Sequence, residues 1–219
     1  MVDKEEIELG RETKRDIKIG IAIVAVILVV MCIAIPVMAA YNALVDSDLQ
    51  VNRAAANIKT DLERRADLLP NLASEIQGSA IFEHATIVDT IAARAGDASE
   101  IKNRIQSANT VSDISQQETK LDTVFGGIMT LNEAYPTLQT TEQFKDFEAQ
   151  TTATENEILV DRQTYNSAVM QYQSACRSFP TNLVAGEFGF YPDKYQMYTP
   201  VNQTNAETVP TVTFDFSNL

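Results

Sequence analysis

IGIAIVAVILVVMCIAIPVMAA, running from Ile19 to Ala40, holds no charged side chain. Coiled at about 1.5 Å per residue it is roughly 30 Å long, close to the thickness of a bilayer's hydrocarbon core. Lys18 closes the stretch on one side, and from Tyr41 onward the chain is polar, acidic and patterned as helix. The reading is a retained transmembrane anchor over 19–40, preceded by a short leader over 1–18. A cleaved signal peptide is the competing reading, because Val37-Met38-Ala39 offers small residues at a suitable place. Against it, the apolar run is longer than the ~7–15 residues of a signal peptide's core, and the leader carries both signs of charge. Met31 ahead of Cys32 also argues against lipoprotein processing.

Lys4, Arg11, Lys14, Arg15 and Lys18 precede the span, whereas Arg53 and Lys59 are the basic residues in a comparable stretch after it. Basic residues set orientation and acids contribute little, so the leader is expected inside and the main domain outside a cell membrane crossed once.

Lys plus Arg number 17 against 30 Asp plus Glu, a formal charge of -13. Such a surface repels nucleic acid and anionic headgroups and disfavours phosphate binding. The 2 cysteines lie far apart, Cys32 in the span and Cys176 near the end of the last helical stretch, which excludes an intrachain disulfide on distance. His84 is the one histidine, so neither a catalytic zinc site with two or three His ligands nor a di-iron bundle can be built. No metal or cofactor is expected.

Beyond the span, Tyr41, Leu44, Asp48, Val51, Ala55, Ile58 and Leu62 recur at three- and four-residue intervals, with Leu69 two turns further on, so the anchor helix is expected to continue into the domain. Pro70 predicts the next break, with a second helix over 70–95 facing Leu72, Ile76, Ala80, Ile87 and Ile91 inward. Gly96-Asp97-Ala98-Ser99 reads as a turn. A third helix is expected between Glu100 and Tyr135, poorly patterned at first and then striped by Leu121, Val124, Phe125, Ile128 and Leu131. Pro136 ends it, and Thr140, Thr141 and Glu142 open the last helix. There Phe144, Phe147, Thr151, Thr154, Ile158, Asp161, Tyr165, Ala168, Tyr172, Cys176 and Phe179 keep a seven-residue repeat suited to bundle packing.

The fold class is therefore all-α: an N-terminal transmembrane helix continuing into an antiparallel up-down four-helix bundle over 41–180. An irregular or short-strand tail covers 181–219, with Phe188, Phe190, Tyr191 and Tyr195 expected to strap the end of the bundle. Thr211 to Phe216 alternates at period two, and Val209, Val212, Phe214 and Phe216 are candidate assembly residues through strand addition.

Asp48, Arg64, Arg65, Glu83, Arg94, Glu155, Asn156 and Asn166 lie on or beside the apolar stripes. Glu83 and Glu155 could in principle do acid–base work or hold a cation. No nucleophile–base pair accompanies them, so all eight are expected to form a structural polar network whose Arg–carboxylate pairs fix helix register, with no catalytic residue. Tyr41, Tyr135, Tyr165 and Tyr172 could line a ligand-binding aromatic box, but at helical spacing they are read as core residues whose hydroxyls reach helix ends. Asn202-Gln203-Thr204 is a glycosylation sequon.

Several stretches together resemble the LemA family. They are Tyr41-Asn42-Ala43-Leu44-Val45, Arg64-Arg65-Ala66-Asp67-Leu68-Leu69-Pro70-Asn71-Leu72, Glu83 with Ala93-Arg94, and Glu133-Ala134-Tyr135-Pro136. Thr154-Glu155-Asn156-Glu157-Ile158, Arg162, Tyr165-Asn166, Arg177-Ser178-Phe179-Pro180 and Gly189-Phe190 complete them, in order, over about 41–195. Phe82 stands where many members have His before Glu83, and Ala55 where Trp is common. The resemblance implies a membrane-anchored helical bundle with no established enzymatic activity; one branch, the MamQ-like proteins, takes part in building magnetosome membranes. The function expected is a non-enzymatic membrane scaffold that self-associates or binds another membrane or surface protein, with no nucleic-acid partner. The alternative is a ligand-binding or sensory ectodomain, for which the leader is too short to supply a cytoplasmic output domain.

Overall fold

The computed structural model describes residues 2–77, 85–135 and 141–199. Among them are four long helices: α1 (Val2–Gln77), α2 (Ala85–Ser107), α3 (Val111–Ala134) and α4 (Glu142–Arg177), followed by a 3-10 turn at Thr181–Leu183. The described residues hold no strand, and the Thr211–Phe216 segment lies outside them.

α1 is longer than the sequence reading made it. Pro70 was expected to open a new helix, yet α1 runs through it to Gln77. A proline inside a helix costs about 3 kcal/mol. Leu68, Leu69, Leu72, Ala73 and Ile76 are all buried around it, and full burial of one Leu or Ile contributes roughly 1.5–3 kcal/mol. Packing outweighs the lost backbone bond. Further toward the N-terminus the same helix carries the apolar stretch, whose large side chains from Ile19 to Ile35, with Met38, are exposed. It is the helix among the described residues long and apolar enough to cross a membrane, with a mean hydropathy of 3.2 in its best window.

Gly96 to Ser99, expected as a turn, lies inside α2. Ala95, Ala98, Ile101 and Ile105 extend one buried stripe across it, and the Ser99 hydroxyl donates back to the Ala95 carbonyl at 2.9 Å. The chain turns instead just after Ser107. Thr110 then starts α3 with a reciprocal cap: its hydroxyl accepts from the Asp113 amide at 3.1 Å while the Asp113 carboxylate receives the Thr110 amide.

Two compact units divide the chain. Leu49–Gln171 with residues 195–199 forms the bundle. Its helix directions follow from side-chain registers. Lys102 reaches Asp67 at 2.6 Å, Gln106 donates to Glu63 at 3.0 Å, and Lys59 caps the end of α2 by donating to the Gln106 and Ala108 carbonyls. α1 and α2 therefore run antiparallel. Arg64 to Glu157 and Arg65 to Glu155 set α4 antiparallel to α1, and Asn132 to Glu148 with Glu118 to Arg162 sets α4 antiparallel to α3. A Cβ on Gly127 would sit 3.3 Å from the Arg94 Nε, so the glycine lets the Arg94 side chain of α2 lie against α3. The result is an up-down-up-down bundle.

The second unit comprises residues 2–48 with Tyr172–Lys194. Ala40, Leu44, Tyr172, Cys176 and Ala185 are buried in it. Phe188 and Phe190 set their rings edge-on to Tyr41, with centroids 4.9 and 6.1 Å away. Lys194 pairs with Asp48 at 2.6 Å. Phe179, read as the last seam residue of α4, is exposed because α4 ends at Arg177 and the chain turns there.

Candidate functional site: a polar interior and the strap it holds

A bundle core normally excludes charge, so its buried ionisable side chains are where function or specificity is sought. Two of them stand one above the other in this bundle, Arg65 and Glu118.

Arg65 enters from α1 with 5% of its side chain exposed. Its guanidinium donates to Asp122 of α3 at 2.6 Å and to Glu155 of α4 at 2.9 Å. Its carbon lies 4.7 Å from the centroid of the Phe125 ring, which stacks on Phe147 at 5.6 Å. A planar fork with fixed donor directions is suited to joining three helices at one level, whereas an ammonium would act as a point charge. Asp122 and Glu155 keep one side in water, which lowers the cost of holding their charge.

Glu118 of α3 is more deeply placed, with 3% of its side chain exposed. It accepts from Arg162 of α4 and from the Tyr198 hydroxyl. The Arg162 guanidinium also lies over the Tyr198 ring, 5.5 Å from its centroid. A buried carboxylate is tolerated when donors satisfy it, and here two elements supply them.

Tyr198 belongs to an extended strap, residues 195–199, held by side chains reading its backbone. Asn166 accepts from the Tyr198 amide at 2.7 Å and donates to the Tyr198 carbonyl at 3.2 Å. Tyr165 donates to the Gln196 carbonyl and Ser115 to the Thr199 carbonyl, each at 3.0 Å. Asn52 donates to the Tyr195 hydroxyl at 3.0 Å. Side chains thus partner the Tyr198 amide and the Gln196, Tyr198 and Thr199 carbonyls without a sheet.

Burial pushes the Tyr198 phenol up to about 12, against the partial opposing pull of Arg162. Burial, helped by nearby Tyr195, likewise pushes Tyr165 up to about 12. Burial lowers Arg162, whose guanidinium nevertheless remains protonated. Asp61 is raised by burial and by the neighbouring Asp161 and Glu157 carboxylates across the α1–α4 contact. Tyr165, Tyr198 and Arg162 join the strap and the helices, whereas the carboxylates around Asp61 repel one another when ionised.

Of the eight polar residues singled out from sequence, Arg65 and Glu155 meet directly, and Asn166 holds the strap. Arg64 pairs with Glu157 at 2.7 Å on the bundle's outside, and Arg94 lies 3.6 Å from Asp97 on its own helix. Asn156 is exposed. Asp48 belongs to the other unit. Glu83 and the assembly candidates Val209, Val212, Phe214 and Phe216 lie outside the described residues. Glu118, Asp122, Ser115 and Tyr198 were not singled out. Ile114, Glu118, Leu121, Phe125 and Ile128 alternate at four and three residues, so Glu118 could have been found as a charge in a seam position. Tyr198 has no periodicity to mark it.

A LemA-family model matches residues 54–214. Two relatives from Paramagnetospirillum magneticum, Magnetosome protein MamQ 1 and Magnetosome protein MamQ 2, are each 24% identical to the chain over 203 residues, covering 84% of this chain and 74% of theirs.

Proposed function

The chain belongs to the LemA family, and from that premise we propose that it is a non-enzymatic single-pass membrane scaffold whose helical bundle stands outside the cell membrane and binds copies of itself or another membrane or surface protein. The observation that carries the reading is α1. One helix includes the exposed apolar stretch of 19–40 and also supplies Arg65 to the bundle interior. The chain thus passes from the apolar stretch into the bundle without leaving the helix. The interior polar groups support the non-enzymatic part, since Arg65 and Glu118 are engaged in helix-to-helix bonds. The magnetosome relatives support a membrane setting.

Orientation rests on the basic leader, with the residues before Ile19 inside and those after Ala40 outside. Intact cells expressing the chain with a tag at either end provide the test. External protease is expected to remove a tag at Leu219 and spare one at Met1. The reverse pattern overturns the outside placement, and a mature chain starting near Ala40 overturns the anchor.

A further inference from the structure

In the unit that contains the apolar stretch, several large apolar side chains beyond the end of α4 are exposed. Phe179 is 80% exposed and Leu183 67%, while Phe188 and Tyr191 are about half exposed. This is not a loose loop. Asn182 donates to the Ser178 carbonyl at 2.8 Å, Ala185 to Thr181 at 2.9 Å and Phe190 to Ala185 at 2.9 Å, so consecutive backbone turns fix the segment. Ala185 is buried on its inner side. The exposed apolar side chains are therefore presented by an ordered frame.

Their position along α1 says what covers them. Phe188 and Phe190 touch Tyr41, one residue past the apolar stretch. One residue is about 1.5 Å along a helix. The headgroup zone beyond each face of the hydrocarbon is roughly 5–7 Å deep, half the difference between the full and the hydrocarbon thickness of a bilayer. Rings packed on Tyr41 thus fall within the layer where aromatic side chains concentrate in membrane proteins.

We infer that the 178–191 segment is a second membrane contact, a small aromatic and aliphatic platform that rests in the headgroup–acyl boundary of the leaflet from which α1 emerges. The inference rests on α1 crossing the membrane. Its contact is apolar, so it needs no anionic lipid and takes a zwitterionic surface, in keeping with a chain of formal charge -13.

The sequence contains 0 tryptophans, which allows a direct test with the full chain in phosphatidylcholine vesicles. Four single-tryptophan variants are compared: Phe179→Trp and Leu183→Trp on the platform, Ile27→Trp in the apolar stretch, and Leu159→Trp on the exposed side of α4. Each is read for emission wavelength, quenching by aqueous iodide, and quenching by phosphatidylcholine brominated near the head or near the end of its acyl chains. The platform positions are expected to emit to the blue of Leu159→Trp, to resist iodide and to be quenched most by bromine near the headgroup. Ile27→Trp is expected to be quenched most by deep bromine. Iodide-accessible platform tryptophans beside a deeply quenched Ile27→Trp overturn the platform and leave the anchor standing. An iodide-accessible Ile27→Trp overturns the anchor itself. Platform tryptophans shielded from both quenchers overturn the lipid contact in favour of cover by protein.

Discussion

Arg64 and Arg65 are adjacent in sequence and opposite in surroundings. Arg64 shares an exposed ion pair with Glu157, while Arg65 is buried and holds Asp122 and Glu155. Exposed pairs contribute ~0–1 kcal/mol, whereas stranding the partner of a fully buried charge costs about 3–5 kcal/mol. Asp122 and Glu155 can rehydrate once released, so Arg65→Ala is expected near the bottom of that range, about 3 kcal/mol, and Arg64→Ala below ~1 kcal/mol. Urea unfolding of the full chain in mild detergent, followed by helicity, measures both; equal losses would remove Arg65 from its central place. The buried phenols make a separate prediction. Raised from 10.0 to about 12 in the fold, Tyr165 and Tyr198 bind more protons folded than unfolded in that window. Their contribution is complete below about pH 10 and is lost as pH rises toward about 12. Phenolate absorbance is expected to show two late-ionising groups at pH values where the fold survives. Tyr198→Phe should remove one of them and flatten the alkaline fall in stability.

At the scale of the helix, α1 shows which local signals prevail. Pro70 leaves the Ala66 carbonyl without its backbone donor, and the helix continues because the residues around it are buried. Pro70→Ala restores that bond, so the full chain should gain stability, by up to about 3 kcal/mol; a loss in the same urea experiment would mean that the proline fits a bend the bundle requires. Sequence made the helical class, the continuation of α1 past Tyr41 and the α4 seam legible, because Leu44, Ile58, Leu62, Phe144, Ile158 and Tyr165 keep their period over many turns. It misplaced the breaks at Pro70 and Gly96, where local turn propensity opposed burial reaching across both residues. The early part of α3 looked unpatterned because polar Ser115 and Glu118 occupy inward positions that an apolar count passes over. Their partner Tyr198 follows in an irregular segment, whose docking depends on distant side chains.

For the whole molecule, the scaffold reading predicts particles larger than one chain in mild detergent. A chain ending at Thr199 keeps the strap and removes 200–219, separating assembly from bundle integrity. If the Val209–Phe216 segment joins copies, light scattering should give a lower particle mass for the shortened chain; equal masses would exclude that segment, and monomers in both cases would reject the scaffold. The bundle's wiring also orders its making in time. Arg65 and Glu155 are 90 residues apart, so at a synthesis rate of about 5–20 residues per second one is made roughly 5–18 s before the other. Within that interval α2 and then α3 are completed, at Ser107 and Ala134, so Leu62, Leu69 and Ile76 of α1 have two partner helices available before α4 exists. Arg65 therefore meets Asp122 before Glu155 has been made, and α4 closes a bundle whose first three helices are already there.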